Sequence, residues 1–383
     1  MNKFGISLII AGGLFTSFAN ATASNFPQIN AGSPHAATQE SFVEVYAHRG
    51  ARSFSPENTL PAYKTGLAVG TNWVDMDIGI TKDGIIIIDH DIWLNPDILQ
   101  KDGKFWATSK QAFYSQLESA AGGIDKNIQP YLVKNLSFKQ LEQYDAGKLN
   151  PSSPYSKYFP KQFAVAHTKM PSLQSVVDYV NKTTAKKVNF QIEIKNDPTH
   201  PEWTVSPQQF AEKLNTFLIK NDLVARAEIQ SFDWQPLYEL HKLNPKVKLA
   251  FLVGHDDIER MKSSNDSQAG LWSGGKLLKN YNNSLPQMIK ALGGSCYEPE
   301  DVALTKEDLD EAHRLGLKVV VWTWPEYSGK DFDPQLVDKL IKWGIDGIIT
   351  DDPAQLNSML AARDLPVPET FATTAGKTNN QQK

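Results

Sequence analysis

The chain is poor in cysteine: Cys296 is the only one in 383 residues. An intramolecular disulfide is therefore excluded, and a chain of this length buries enough surface to fold without one. No local motif marks Cys296 as a nucleophile. Charge of one sign is lacking too. The formal net charge is -4, from 39 basic and 43 acidic side chains. That excludes a broad basic face for nucleic acid and leaves room for a phosphate site built from a few local cations. Long hydrophobic runs are missing as well. The apolar stretch Ile6–Phe18, broken by Gly12 and Gly13, falls short of the ~20 residues of a membrane span, so stable membrane insertion is not expected. Lys3 precedes it, and the small-x-small sites Ala19-Asn20-Ala21 and Ala21-Thr22-Ala23 follow. Residues 1–23 thus read as a secretory signal peptide and the mature protein as periplasmic or secreted, with a single membrane anchor as the competing reading.

What is present is a globular composition, 41% hydrophobic and 21% charged. Residues 24–42 are polar and read as an N-terminal arm, and 364–383 as a disordered polar tail. Between them, β-branched runs alternate with helical patterns. The runs are Val43–Ala47, Trp73–Ile78, Val188–Ile194, Ala227–Phe232, Val247–Val253, Gly294–Tyr297, Val319–Thr323 and Gly347–Thr350. Helical stretches follow most of them, as at Leu60–Val69, Pro207–Asn221 and Pro334–Trp343. Eight strand–helix units over 43–363 predict an α/β fold, a (β/α)8 TIM barrel; local pattern leaves a doubly wound open sheet as the alternative. After the second run, Asp83-Gly84 between apolar stretches predicts a hairpin that folds Ile85–Ile88 back and carries His90 to the same end of the barrel. Residues 92–168, aromatic- and proline-rich, interrupt the alternation and predict an inserted small subdomain or lid.

In such a barrel, reacting groups stand at the C-terminal ends of strands. Those ends hold His48-Arg49-Gly50, Asp75 and Asp77, His90-Asp91, Glu193 and Lys195, Gln230-Ser231, Trp322-Thr323 and Asp351-Asp352. Asp75 and Asp77 are two apart on a strand and point to one face, as do Glu193 and Lys195. Each carboxylate alone reads as a solvated strand-end charge. Three converging on one mouth repel unless a cation lies between them. All-oxygen donors favour one hard divalent ion, Ca2+ ahead of Mg2+. Two histidines beside them suit an acid and a base near neutral pH, with Arg49 and Lys195 placed for phosphate oxygens.

The ordered set His48-Arg49-Gly50, Pro56-Glu57-Asn58-Thr59, Asp75-x-Asp77, Lys82-Asp83-Gly84, His90-Asp91, Glu193-x-Lys195, Gln230-Ser231-Phe232, Trp322-Thr323 and Asp346–Asp351 with Pro353 resembles the glycerophosphodiester phosphodiesterase family. The likeness runs from about Val45 to Pro353, and the insertion is similar to that of the family's periplasmic branch. The resemblance implies hydrolysis of a small glycerophosphodiester to sn-glycerol 3-phosphate and an alcohol. It implies His48 and His90 as acid and base, the metal on Asp75, Asp77 and Glu193, phosphate on Arg49 and Lys195, Glu57 supporting Arg49 and His48, and Trp322 as an apolar wall against glycerol. Where the family has Glu-x-Asp, this chain has Asp75-x-Asp77, one methylene shorter, so Asp75 is the ligand most in question. Glu298 reads as structural, beside Pro299, and the remaining histidines as surface or packing residues. A lysophospholipase D-like or phosphoinositide-type activity on the same barrel, and a surface-binding role using the barrel as scaffold, are the competing readings. The sequence does not set the oligomeric state.

Overall fold

The computed structural model describes residues 42–262, 270–323 and 332–371. The expected signal peptide, nearly all of the expected arm and residues 372–383 lie outside the described residues. The strands in chain order are β1 (Glu44–Ala47), β2 (Trp73–Ile80), β3 (Ile86–Ile88), β4 (Gln100–Lys101), β5 (Tyr144–Asp145), β6 (Asn189–Ile194), β7 (Ala227–Ser231), β8 (Lys248–Val253), β9 (Cys296–Pro299), β10 (Lys318–Trp322) and β11 (Gly347–Thr350). Eight pair in parallel in the order β1-β11-β10-β9-β8-β7-β6-β2, and β1 also pairs with β2, so the eight form a closed ring. This is the TIM barrel; closure excludes the open sheet.

Alternation divides each strand between two cores. Val74, Met76 and Ile78 of β2 join the apolar layer between barrel and helices, while Trp73, Asp75 and Asp77 face inward with Tyr46, Val320 and Trp322. The helices follow local rules. Leu173–Thr184 begins at Ser172, whose side chain accepts from Ser175 N, and buries Leu173, Val176, Val177 and Val180 at helical spacing. Each such side chain contributes about 1.5–3 kcal/mol of burial. Pro334–Trp343 is capped by Asp333 and ends at Gly344 in the left-handed region.

The hairpin forms as its sequence predicts. Gly84 (φ +80°) makes the turn, Ile85 N donates to Thr81 Oγ1 at 3.0 Å, and β3 pairs antiparallel with β2 (Ile78↔Ile88). The insertion has its own two-stranded sheet, β4 with β5, and two apolar clusters. One shares Ile87 of β3 and the other shares Trp203, which root it on the barrel. Two expectations need correction. The sixth barrel strand starts two residues later than Gly294, because Gly294 N still donates to Ile289 O at 2.9 Å and closes the preceding helix, while Pro299 is tolerated at the far end. The stretch expected to be disordered from 364 also loses its first residues, since 364–371 are placed against the barrel. Leu365 and Phe371 pack on the core, Phe371 N donates to Leu67 O at 2.8 Å, and Glu369 pairs with Lys187 at 2.8 Å. Among the described residues no helix is long and apolar enough to cross a membrane.

Candidate active site

The site grows from the tight turn that ends β1. His48–Gly50 form a single 3-10 turn, with Arg49 in the left-handed region (φ 49°). That conformation costs a non-glycine residue about 1–2 kcal/mol. It is held because Arg49 N donates to Asp75 Oδ1 at 3.2 Å, while its guanidinium donates to Glu57 Oε1 at 2.6 Å and lies 3.2 Å from Asp77 Oδ2. Gly50 (φ +92°) is required by close approach as well: a Cβ there would meet Ala62 C and Tyr63 N at 2.7 Å. The run Pro56–Thr59 then has a physical reading. Glu57 anchors Arg49, Asn58 donates to Asp77 Oδ2 at 2.7 Å, and Thr59 caps the helix Leu60–Val69.

Each histidine has a carboxylate at Nδ1. His48 Nδ1 lies 2.5 Å from Asp351 Oδ1, which Arg52 Nε also reaches at 2.5 Å. The register of β1 against β11 (Ala47↔Thr350) sets the next residues, His48 and Asp351, side by side. His90 Nδ1 lies 3.5 Å from Asp91 Oδ1. Asp91 also accepts from Asn95 Nδ2 at 2.7 Å and from Lys110 Nζ, both supplied by the insertion. A further insertion residue, Tyr155, donates to Glu57 Oε2 and receives a bond from Arg52 at 3.0 Å.

The electrostatics follow from packing so many charges under cover. Burial, Arg52 and Arg49 push the His48 imidazole below its usual range, against the pull of Asp351. Burial with Arg49 and Lys195 beside it takes His90 down to about 3. Burial would raise Asp351 and Asp77, yet Arg52 and His48 hold the first carboxyl well below its usual range and Arg49 and Lys195 hold down the second. Asp75 moves the other way, raised by burial and by Asp77, and Glu193 is pushed up to about 7, chiefly by burial.

The cavity at the strand ends encloses about 240 Å³. It brings together His48, Arg49, Glu57, Asp75, His90, Glu193, Lys195 and Trp322, all expected from the sequence. Asp77 sits just beneath, bonded to Asn58 and Arg49. The three expected metal ligands are neighbours: Asp77 and Glu193 pair in register across β2 and β6. They do not close on one point. Lys195 Nζ stands between them, 2.6 Å from Glu193 Oε1 and 3.6 Å from Asp77 Oδ1, and Asp75 turns to accept from Gln230 Nε2 at 2.6 Å. The donor set still fits a hard divalent ion. It is all oxygen and it is buried, and burial raises two of the three carboxyls, Asp75 with Asp77 adding to it. Trp322 packs edge-on against Phe232, with ring centres 5.4 Å apart, at the apolar side of the cavity. Glu298 is fully buried inside the barrel and outside the cavity lining. Arg52, Lys110 and Tyr155 were not singled out from the sequence. Arg52 lies only four residues beyond His48, but neither spacing nor periodicity marks the two insertion residues.

Arg49 and Lys195 beside two imidazoles at the strand ends of a barrel suit a phosphoric diester. Comparison with known proteins agrees. Residues 48–355 match the glycerophosphoryl diester phosphodiesterase family, and the chain belongs to that family. It is 24% identical over 319 residues to a glycerophosphodiester phosphodiesterase of Bacillus subtilis, covering 81% of this chain and 84% of the relative. It is 23% identical to one from Caldanaerobacter subterraneus, covering 82% and 97%. Among solved structures, a Silicibacter pomeroyi protein assigned as a glycerophosphoryl diester phosphodiesterase superposes with a TM-score of 0.67 at 24% identity, covering 85% and 95%. An Oleispira antarctica phosphodiesterase, solved in complex with the product sn-glycerol-3-phosphate, gives 0.53 at 18%, covering 84% and 97%. These two share the fold.

Proposed function

We propose that this protein hydrolyses small glycerophosphodiesters to sn-glycerol 3-phosphate and an alcohol, with His48 and His90 as the general acid/base pair and a divalent cation, Ca2+ ahead of Mg2+, on Asp75, Asp77 and Glu193. One observation carries the reading: two imidazoles, each with a carboxylate at Nδ1, border one cavity with Arg49 and Lys195. A carboxylate at Nδ1 fixes the tautomer and leaves Nε2 to accept or donate a proton. Arg49 and Lys195 hold phosphate oxygens and stabilise the charge that builds up in the transition state. The cation, when bound, polarises the phosphoryl group. Burial depresses His90 most, and phosphate between the two cations would offset the share that Arg49 and Lys195 add, so one imidazole can carry the proton for the leaving oxygen while the other, neutral, takes the proton from the attacking one. Leu252, Ile349 and Trp322 also line the cavity and suit the carbon face of glycerol. The insertion contributes Asn95, Asp97, Lys110 and Tyr155, polar groups that favour a small deacylated headgroup over a lipid.

The test is turnover of glycerophosphocholine and glycerophosphoethanolamine, read by coupled oxidation of sn-glycerol 3-phosphate, with EDTA and then with Ca2+ or Mg2+ restored. Activity is expected to vanish with EDTA and return with one ion. His48→Ala and His90→Ala should each lower kcat on the order of 10²–10⁴-fold. Full activity in both variants would sink the acid/base assignment. The same reading places the enzyme outside the cytoplasm, supported by the signal-like segment from Lys3 to Ala23. Amino-terminal sequencing of the exported protein should begin at Thr22 or Ser24; a chain still starting at Met1 overturns this.

A further inference from the structure

Below the mouth, the barrel interior holds ionisable groups that the proposed reaction does not use. Cys296 and Glu298 are alternate residues of β9 and point inward together, and Glu228 points inward from β7. The strand between them, β8, places Ala250 beside Cys296 in register. A methyl side chain there leaves open the space across which β7 and β9 face each other. Donor atoms of Glu228, Cys296 and Glu298 all lie within 4.8 Å of one another. Cys296 Sγ is 3.8 Å from Glu298 Oε1, and the three residues are 0–2% exposed. Gln191 Nε2 donates to Glu298 Oε1, but Glu298 Oε2 is buried with no partner. Lys318 Nζ, 3.3 Å from Glu228 Oε1, is the one ammonium recorded in contact with the cluster among the described residues. A buried carboxylate oxygen with no hydrogen-bond partner is costly, and it is relieved by a proton or by a metal ion.

We propose that Glu228, Cys296 and Glu298 form a second metal site inside the barrel, separate from the mouth, taking a divalent ion of borderline softness such as Zn2+. The thiolate selects against Ca2+ and Mg2+, which prefer oxygen, and two carboxylates with a thiolate suit zinc or cobalt. Three anionic ligands would face the dication and the Lys318 ammonium, which is shared with Glu44 at 3.2 Å. Burial raises the Glu298 carboxyl and the Cys296 thiol, which favours their protonated forms while no ion is bound. As the ion enters, the S–H and O–H bonds break, two protons pass to solvent, and bonds from Sγ and Oε to the ion replace them. The site ties β7 to β9 across β8 and serves the barrel, leaving the chemistry to the mouth.

The experiment uses the full chain produced with Co2+ as the supplied transition metal. It reads near-ultraviolet thiolate-to-cobalt charge transfer together with metal content per chain. Cys296 is the only cysteine, so such a band has a single possible source. The band is expected in the wild type and should survive an EDTA wash that strips the exposed mouth. Cys296→Ser should lose the band and about one metal equivalent, and Glu298→Gln should weaken both. Protein without the band, whether or not it carries cobalt elsewhere, overturns the proposal, as does a Cys296→Ser variant with unchanged metal content. If Cys296→Ser fails to fold, the wild-type spectrum alone decides. Loss of phosphodiesterase activity leaves the band unaffected, so failure at the mouth and failure of this site are told apart.

Discussion

The role proposed for His48 leans on Asp351. The carboxylate 2.5 Å from Nδ1 is itself gripped by Arg52, so three side chains fix one tautomer. Asp351→Asn keeps the volume and removes the charge. It is expected to lower kcat on the order of 10²-fold with KM nearly unchanged, because the ring loses its tautomer and orientation rather than its place. It also takes one carboxylate from the buried Arg52 guanidinium, so stability is expected to fall as well. Steady-state kinetics with a denaturation curve would check both, and kcat within about twofold of wild type would show that Asp351 only packs. At this scale the sequence was informative about which residue types gather, and less so about how they pair. His48, Asp75 and Glu193 announce themselves by standing at strand ends. That Lys195 fills the gap between Glu193 and Asp77, and that Asp75 turns to Gln230, depend on distances of a few ångströms that no spacing rule encodes.

The hairpin and the insertion act as a pair of elements on the second histidine. β3 carries His90 to the mouth, and the helix Lys110–Ser119 reaches back to brace it. Ser109 caps that helix, Lys110 N donates to Asp97 Oδ1 at 2.7 Å, and Lys110 Nζ meets Asp91. Lys110→Met removes the ammonium and keeps the apolar stem. A misplacement of about an ångström at a proton donor is enough to lose roughly tenfold in kcat, and Lys110→Arg should restore most of it. Equal rates for Lys110→Met and wild type would mean that the insertion covers the site without organising it. The barrel strands and the hairpin were legible because β-branched runs and an Asp-Gly turn are local signals. The reach of Lys110 and Tyr155 was not, since residues 92–168 have no periodicity to orient them. The late start of β9 was missed because a four-residue run next to Pro299 gives periodicity too little length.

Across the whole molecule, the His48–Asp351 pair lies on the seam where the first and last strands close the ring. Closure joins residues about 300 apart in the chain, which is why local pattern alone left an open sheet standing as an alternative. The same pair makes stability sense pH in one direction. Burial, with Arg52 next, lowers the His48 imidazole from its ordinary 6.5. Below pH 6.5 the unfolded chain therefore takes up a proton at this position that the folded chain refuses. Proton uptake by the unfolded state makes stability fall as pH falls, and the loss continues until the folded ring is itself protonated. Other groups shift in both directions, so the clean observable is the difference between wild type and His48→Gln, which lacks the titration. That difference should move against the wild type as pH drops from 7 to 5, by at most about 1.4 kcal/mol per pH unit, the limit for one proton. Paired thermal melts across this range measure it. A difference that stays flat would mean that His48 accepts its proton as readily in the closed barrel as in the open chain, and that Arg52 is not the cation that keeps it neutral.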